Sequence, residues 1–160
     1  MRALLALALC IGHGPVWGAE LRSFGPGDMG QIERAHRERA YVLALWSVAC
    51  AHCPQELAVL GQFAREHPRL PVVLVSTDTP QDREAIAAAL AGYGLGGTEH
   101  WVFADDYTEA LRHAIDPRWG GELPRTYLVA RDGSRIGLSG RVSPGHLRAW
   151  AEAQTTVPAP

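Results

Sequence analysis

Residues 41–57 read YVLALWSVACAHCPQEL and decide the fold of this chain. The run from Tyr41 to Trp46 is continuously apolar and has the length of a strand covered on both faces. Cys50 and Cys53 follow it and open a segment with a helical pattern. A C-x-x-C pair at a strand-to-helix junction places the first thiol at a helix N-terminus, which stabilises a thiolate. The pattern predicts thiol–disulfide exchange, with Cys50 as the nucleophile and Cys53 as the resolving thiol.

Apolar runs and turn signals on both sides of this stretch predict the element order β-α-β-α-β-α-β-α-β-β-α. Alternation of strands and helices implies parallel strands with right-handed crossovers and helices on both faces of the sheet. Near the C-terminus, residues 127–130 and 135–138 flank Asp132 and Gly133, which is a strong hairpin signal. The hairpin adds an antiparallel edge, so the predicted class is α/β with a mixed central sheet.

The length of 160 residues suits one domain, and a net charge of −2 offers no basic field that would favour nucleic acid as a partner. Residues 1–18 have the pattern of a secretory signal, with a basic start and a short apolar run. The small residues Val16 and Gly18 predict cleavage before Ala19, and an uncleaved anchor is the alternative. We therefore expect a folded domain over residues 19–154 and a disordered tail over residues 155–160.

Cleavage would leave Cys50 and Cys53 as the only cysteines of the mature chain. Secreted proteins normally pair distant cysteines as structural staples. A pair that closes so short a loop constrains the unfolded chain less than a distant pair does. The cysteine count therefore favours a redox role over a structural one.

Three blocks of this sequence together resemble the thioredoxin superfamily, and the branch they resemble is that of the TlpA/ResA-type periplasmic thiol–disulfide oxidoreductases. Residues 46–54 are similar to the W-x-x-x-C-x-x-C segment, and Glu56 matches an active-site glutamate of that branch. Residues 121–129, followed by Asp132 and Gly133, look like the cis-proline loop and terminal hairpin. Residues 81–104 resemble the central helix–strand insertion.

The resemblance implies a thioredoxin fold and several site residues. Pro124 would be a cis proline opposite the cysteines, leaving the backbone of Leu123 free for strand-like pairing with a substrate. Glu56 would exchange protons with Cys53, although a solvated position on the helix surface is the alternative. Trp46 would contribute to an apolar rim or pack in the core, and Arg125 would lie in the surface that determines specificity.

His52 leaves the direction of electron flow open. The resemblance favours a reductase, whereas an imidazole beside Cys50 would stabilise the thiolate and make the disulfide more oxidising. A third hypothesis is a Cu(I) chaperone that uses Cys50, Cys53 and His52. The sequence lacks the second ligand pair of a tetrahedral zinc site. We therefore predict no resident metal and no cofactor other than the redox-active disulfide.

The predicted protein is thus an exported, periplasmic thiol–disulfide oxidoreductase. The resemblance implies that its partners are protein thiols and disulfides, such as those of apocytochrome c or a copper-site assembly factor. It also implies that a membrane thiol electron-transfer protein restores the dithiol.

Overall fold

The computed structural model describes residues 20–105 and 107–156. Six strands lie in these residues: β1 (Leu21–Phe24), β2 (Tyr41–Trp46), β3 (Val72–Ser76), β4 (Glu99–Phe103), β5 (Arg125–Val129) and β6 (Arg135–Ser139). They are joined by five helices: α1 (Asp28–Ala35), α2 (Cys53–Glu66), α3 (Arg83–Gly92), α4 (Thr108–Ile115) and α5 (Pro144–Thr156). The order along the chain is the predicted one.

The strands form one mixed sheet with the order β1-β4-β3-β2-β5-β6. The first four strands are parallel, and β5 and β6 add an antiparallel hairpin next to β2. All six residues of β2 are buried, which explains its unbroken apolar sequence. Because β2 lies inside the sheet, the loop that follows it emerges between β3 and β5. That loop carries Cys50.

Each face of the sheet is covered by helices, and each covered face has its own apolar core. One core contains Leu57 and Leu60 of α2, Ile86 of α3 and Leu147 of α5, together with the even-numbered residues of β2. The other contains buried residues of α1 and α4 and the odd-numbered residues of β2. This alternation follows from the period of two along a strand. Cys53 belongs to the first core.

Several elements begin or end at a residue whose backbone chemistry explains the boundary. Strand β3 begins at Val72 because the preceding Pro71 has no N–H group to donate to a ladder. A turn of 3₁₀ helix at Pro80–Asp82 precedes α3, which begins at Arg83. Helix α1 ends at Ala35, before the left-handed residue Glu38, whose φ is 61°.

The last helix extends into the first two residues of the predicted tail. Helix α5 continues to Thr156, and the hydroxyl of Thr155 donates to the carbonyl of Glu152 within it. Thr155 and Thr156 are thus helical. The preceding residues include Ala, Glu and Gln, which favour a helix. The rest of the predicted tail, and the predicted signal segment, lie outside the described residues. No helix in the described ranges is long and apolar enough to cross a membrane.

Candidate active site

A disulfide joins Cys50 and Cys53 where the chain passes from β2 into α2. The two Cα atoms lie 5.4 Å apart, and Cys53 is the first residue of the helix. Cys50 is partly exposed, whereas Cys53 is fully buried. Of the two cysteines, Cys50 is therefore the one that an external molecule can approach.

Asp78 holds the turn that leads into the disulfide. Its Oδ1 accepts a hydrogen bond of 2.6 Å from the hydroxyl of Ser47, and its Oδ2 accepts one of 2.9 Å from the amide of Val48. The hydroxyl of Ser76, at the end of β3, also donates to Asp78. The carbonyl of Ser47 in turn accepts from the amide of Cys50. One carboxylate thus ties the loop after β3 to the loop that carries the cysteines.

The sequence analysis did not identify Asp78. A signal was available, because a carboxylate two residues beyond a buried parallel strand lies at the same sheet edge as the end of the neighbouring strand. The register that makes β3 the neighbour of β2, with Trp46 opposite Ser76, comes from the tertiary structure.

Glu56 is a buried carboxyl group, with only 1% of its surface exposed. Its Oε1 accepts a 2.7 Å hydrogen bond from the hydroxyl of Thr126 on β5, and its Oε2 accepts a 2.9 Å bond from the amide of Val142. Burial raises the pKa of Glu56 above its ordinary value; the two hydrogen bonds and the charge of Arg141 offset this rise only in part. The solvated-surface alternative for Glu56 is therefore wrong.

Glu56 and Cys53 share the first turn of α2, and both are buried on its inner side. The hydrogen bonds of Glu56, however, are made to Thr126 and Val142, not to a cysteine. Proton exchange between Glu56 and Cys53 stays a prediction.

The peptide bond between Leu123 and Pro124 is cis, as the resemblance implied. An open groove of about 460 Å³ lies beside this bond and next to the disulfide loop. We call it the Pro124 groove; it is lined by His52, Gln55, Leu123, Pro124, Gly140 and Arg141. Among the described residues, the backbone of Leu123 has no hydrogen-bond partner. A partner chain in the groove would therefore find a free peptide group.

His52 is exposed in the disulfide loop and precedes the first residue of α2. Its side chain makes no capping hydrogen bond to the helix. His52 is one of the residues that line the Pro124 groove.

Two predicted substrate-binding residues, Trp46 and Arg125, do not line the Pro124 groove. Trp46 is 2% exposed and packs in the same core as Cys53, so core packing, the alternative to an exposed rim, is what the structure contains. Arg125 alternates with Thr126 along β5 and lies on the sheet face opposite Glu56. Its guanidinium donates to Ser139 at 2.6 Å and lies 4.9 Å from the ring centre of Tyr127. Arg125 is therefore engaged in internal contacts.

No group of three or more His, Cys, Asp or Glu side chains suited to hold a metal ion occurs in the described ranges. Cys50, Cys53 and His52 are therefore not arranged as a three-ligand site here, and the Cu(I) hypothesis would have to rest on the two cysteines alone. In the disulfide form, neither sulfur is a thiolate ligand.

The chain matches no known family model, and no curated protein sequence matches it. Solved structures do match its fold. A secreted disulfide oxidoreductase of Mycobacterium tuberculosis superposes with a TM-score of 0.60 at 20% identity, over 75% of this chain and 85% of that one. A thiol:disulfide interchange protein of the thioredoxin family from Chlorobium tepidum gives 0.60 at 13% identity, covering 76% and 83%. StoA from Bacillus subtilis gives 0.53 at 18% identity, covering 71% and 83%.

At these identities the likeness concerns the fold. The sheet order, the placement of the helices and the three superpositions agree on one class, so the chain has the thioredoxin fold.

Proposed function

We propose that the protein is a thiol–disulfide oxidoreductase. The observation that carries this proposal is the asymmetry of the disulfide: Cys50 is accessible, and Cys53 is buried at the first residue of a helix. A structural staple has no need of an accessible sulfur, whereas exchange requires one.

The reaction follows from the positions of the two sulfurs. In the reduced protein, the Cys50 thiolate attacks a substrate disulfide, forms a mixed disulfide and releases one substrate thiol. Cys53 then attacks the sulfur of Cys50, releases the second substrate thiol and closes the Cys50–Cys53 bond. Two electrons and two protons pass from the protein to the substrate. The N-terminus of α2 favours the thiolate because its first amide groups have no partner within the helix.

Glu56 is our candidate for proton transfer to and from Cys53. A carboxyl group with a raised pKa holds and releases a proton closer to neutral pH than an exposed one. Its hydrogen bonds to Thr126 and Val142 hold the carboxyl group on the buried side of α2, the side on which Cys53 also lies.

We propose that the protein acts as an exported reductase in a bacterial periplasm. Its substrates would be extracytoplasmic proteins, such as apocytochrome c or a copper-site assembly factor. Because each reaction leaves the protein oxidised, a dithiol protein of the membrane would have to restore Cys50 and Cys53. The secreted Mycobacterium tuberculosis oxidoreductase with the same fold supports the compartment.

The first test is the reduction potential of the Cys50–Cys53 couple, measured against a series of glutathione ratios. A reductase is expected near −270 mV or below, in the range of thioredoxin. Insulin reduction should accompany this value and be lost in Cys50→Ser, while Cys53→Ser should accumulate mixed disulfide. A potential of about −120 to −180 mV would contradict the reductase and support a disulfide donor or isomerase.

The exposed imidazole of His52 in the disulfide loop is the observation that favours the oxidising alternative. The copper hypothesis gives a different result in the same preparation. Tight stoichiometric Cu(I) binding with feeble insulin reduction would support a chaperone. Loss of insulin reduction in Cys50→Ser would count against it.

A further inference from the structure

The Pro124 groove is a surface with a cation and no carboxylate in its lining. Arg141 is exposed at its edge, His52 lies on the side of the disulfide, and the remaining lining residues are uncharged. The whole chain has a net charge of −2, so this local excess of positive charge is not a general property of the molecule.

The backbone on both sides of Arg141 is anchored. The amide of Gly140 donates a 2.9 Å hydrogen bond to the carbonyl of Pro124, and the amide of Val142 donates one of 2.9 Å to Glu56. Gly140 also adopts a φ of 75°, which turns the chain at that point. The position of Arg141 beside the groove is thus determined by the same contacts that build the site.

The guanidinium of Arg141 is not held in an ion pair, although its charge acts on the buried Glu56 and opposes the rise of that residue's pKa. Among the described residues, Arg141 takes part in no ion pair within 4 Å. Glu122, which precedes the groove residue Leu123 in the chain, accepts a hydrogen bond from Ser139 and pairs with Arg125. Glu56 is buried, and both of its oxygens already accept hydrogen bonds. The guanidinium of Arg141 is therefore available to a bound molecule.

We propose that Arg141 selects protein substrates that carry an aspartate or glutamate beside the reacting cysteine. An arginine fork binds a carboxylate through two parallel hydrogen bonds, which requires a defined orientation of the substrate segment. The free peptide group of Leu123 on the same groove would hold the backbone of that segment in an extended form. The inference rests on the proposed exchange activity and specifies its substrate class.

The test compares two synthetic peptides that contain the same disulfide and differ only in the residues that flank it. One peptide has glutamates at these positions and the other has arginines. The ratio of their kcat/KM values is measured for the wild type, Arg141→Gln and Arg141→Glu, at low and high salt. The ratio cancels any effect of Arg141 on Glu56, because both peptides use the same Glu56.

Arg148→Glu is the matched control. Arg148 is exposed on α5, lines none of the Pro124 groove and gives the same change of net charge. Flanking charges also change the reactivity of the peptide disulfide itself, so the result is the ratio of each variant relative to that of Arg141→Gln. At low salt the wild type is expected to favour the glutamate peptide by about two- to fivefold relative to Arg141→Gln, the range of an exposed ion pair. Arg141→Glu should change the ratio by a similar factor in the opposite direction, and Arg148→Glu should leave it at the wild-type value.

The outcomes separate this inference from the proposed function. If the wild type reacts with both peptides and the ratio is the same in Arg141→Glu, the inference is wrong and the exchange activity stands. An equal change of the ratio in Arg148→Glu would also overturn it, because net charge would then explain the preference. If the wild type reacts with neither peptide, the proposed function fails and the inference fails with it.

Discussion

At the scale of single residues, Glu56 shows how burial changes the chemistry of a common side chain. The carboxyl group bridges α2, β5 and the loop before α5 through Thr126 and Val142. These contacts keep it in place but do not fully compensate for its removal from water, so its pKa is raised. The same residue therefore contributes to the fold and is, in the proposed mechanism, the candidate for proton transfer with Cys53.

This raised pKa predicts a pH-dependent stability difference for Glu56→Gln. A carboxyl group whose pKa is higher in the folded chain stabilises the fold most below its unfolded pKa, and this stabilisation is lost as the pH rises through the folded pKa. Glutamine keeps an uncharged acceptor for the amide of Val142, and its NH2 group donates to the hydroxyl of Thr126, from which Glu56 accepts. The stability of the variant relative to the wild type should therefore increase from about pH 4 to pH 8.

The measurement is urea unfolding of both oxidised proteins across this pH range. Parallel pH profiles would show that Glu56 has the same pKa in the folded and unfolded chain, contrary to the prediction.

His52 allows a second test at this scale, because its side chain is exposed and makes no capping bond to α2. If the imidazole stabilises the Cys50 thiolate, His52→Ala should make the reduction potential more negative. Each 1.4 kcal/mol of lost stabilisation corresponds to about 30 mV. Gln55→Ala, on the same groove, is the control for a change of surface alone. Equal potentials in wild type and His52→Ala would remove His52 from the redox mechanism.

At the scale of elements, α2 and α3 approach each other at Gly61. This glycine is buried on α2, and a Cβ atom there would collide with the backbone carbonyl of Tyr93, just beyond the end of α3. Through this contact α2 packs against the end of α3, which belongs to the predicted insertion of residues 81–104. The position of α3 therefore depends on the absence of a side chain at residue 61.

Gly61→Ala is expected to destabilise the protein despite the better helix propensity of alanine. Alanine gains about 1 kcal/mol in a helix interior, whereas forcing a side chain into a packed interface costs about 1–3 kcal/mol and here meets rigid backbone. Gly92→Ala is the control, since it is also helical and a Cβ there meets nothing within 4 Å. Chemical denaturation should place Gly61→Ala below the wild type and Gly92→Ala at or above it; the reverse order would refute the packing argument.

At the scale of the whole molecule, two apolar cores lie on opposite faces of one sheet, and the disulfide lies at the carboxyl end of its inner strand β2. Cys53 is part of one core, so the redox state of the disulfide is linked to the stability of the fold. In a reductase the folded chain favours the disulfide more than the unfolded chain does. By the thermodynamic cycle, the oxidised form must then be the more stable one.

We therefore expect a higher urea midpoint for the oxidised protein than for the dithiol form. Closing a loop this short accounts for a stabilisation of only about 2 kcal/mol in the chain-entropy model. The variant with both Cys50→Ser and Cys53→Ser should show no response to dithiothreitol. A more stable reduced form would instead indicate an oxidising protein, in agreement with a high potential.

The sequence by itself determined the order of the elements, the class of the fold and the position of the disulfide. These depend on local patterns: the apolar run of β2, the C-x-x-C pair before a helix, and the turn at Asp132 and Gly133, where Gly133 has a φ of 81°. Such patterns follow from the strand period of two, the helix period of 3.6 and the backbone preferences of individual residues.

The tertiary structure alone decided which distant residues meet at the site. Glu56 bonds to residues 70 and 86 positions further along the chain, and Arg141 shares a groove with His52. Packing also placed Trp46 in the core and Arg125 on the far face of β5. These outcomes depend on strand register and helix docking, which place residues from separate segments side by side and which no local periodicity encodes.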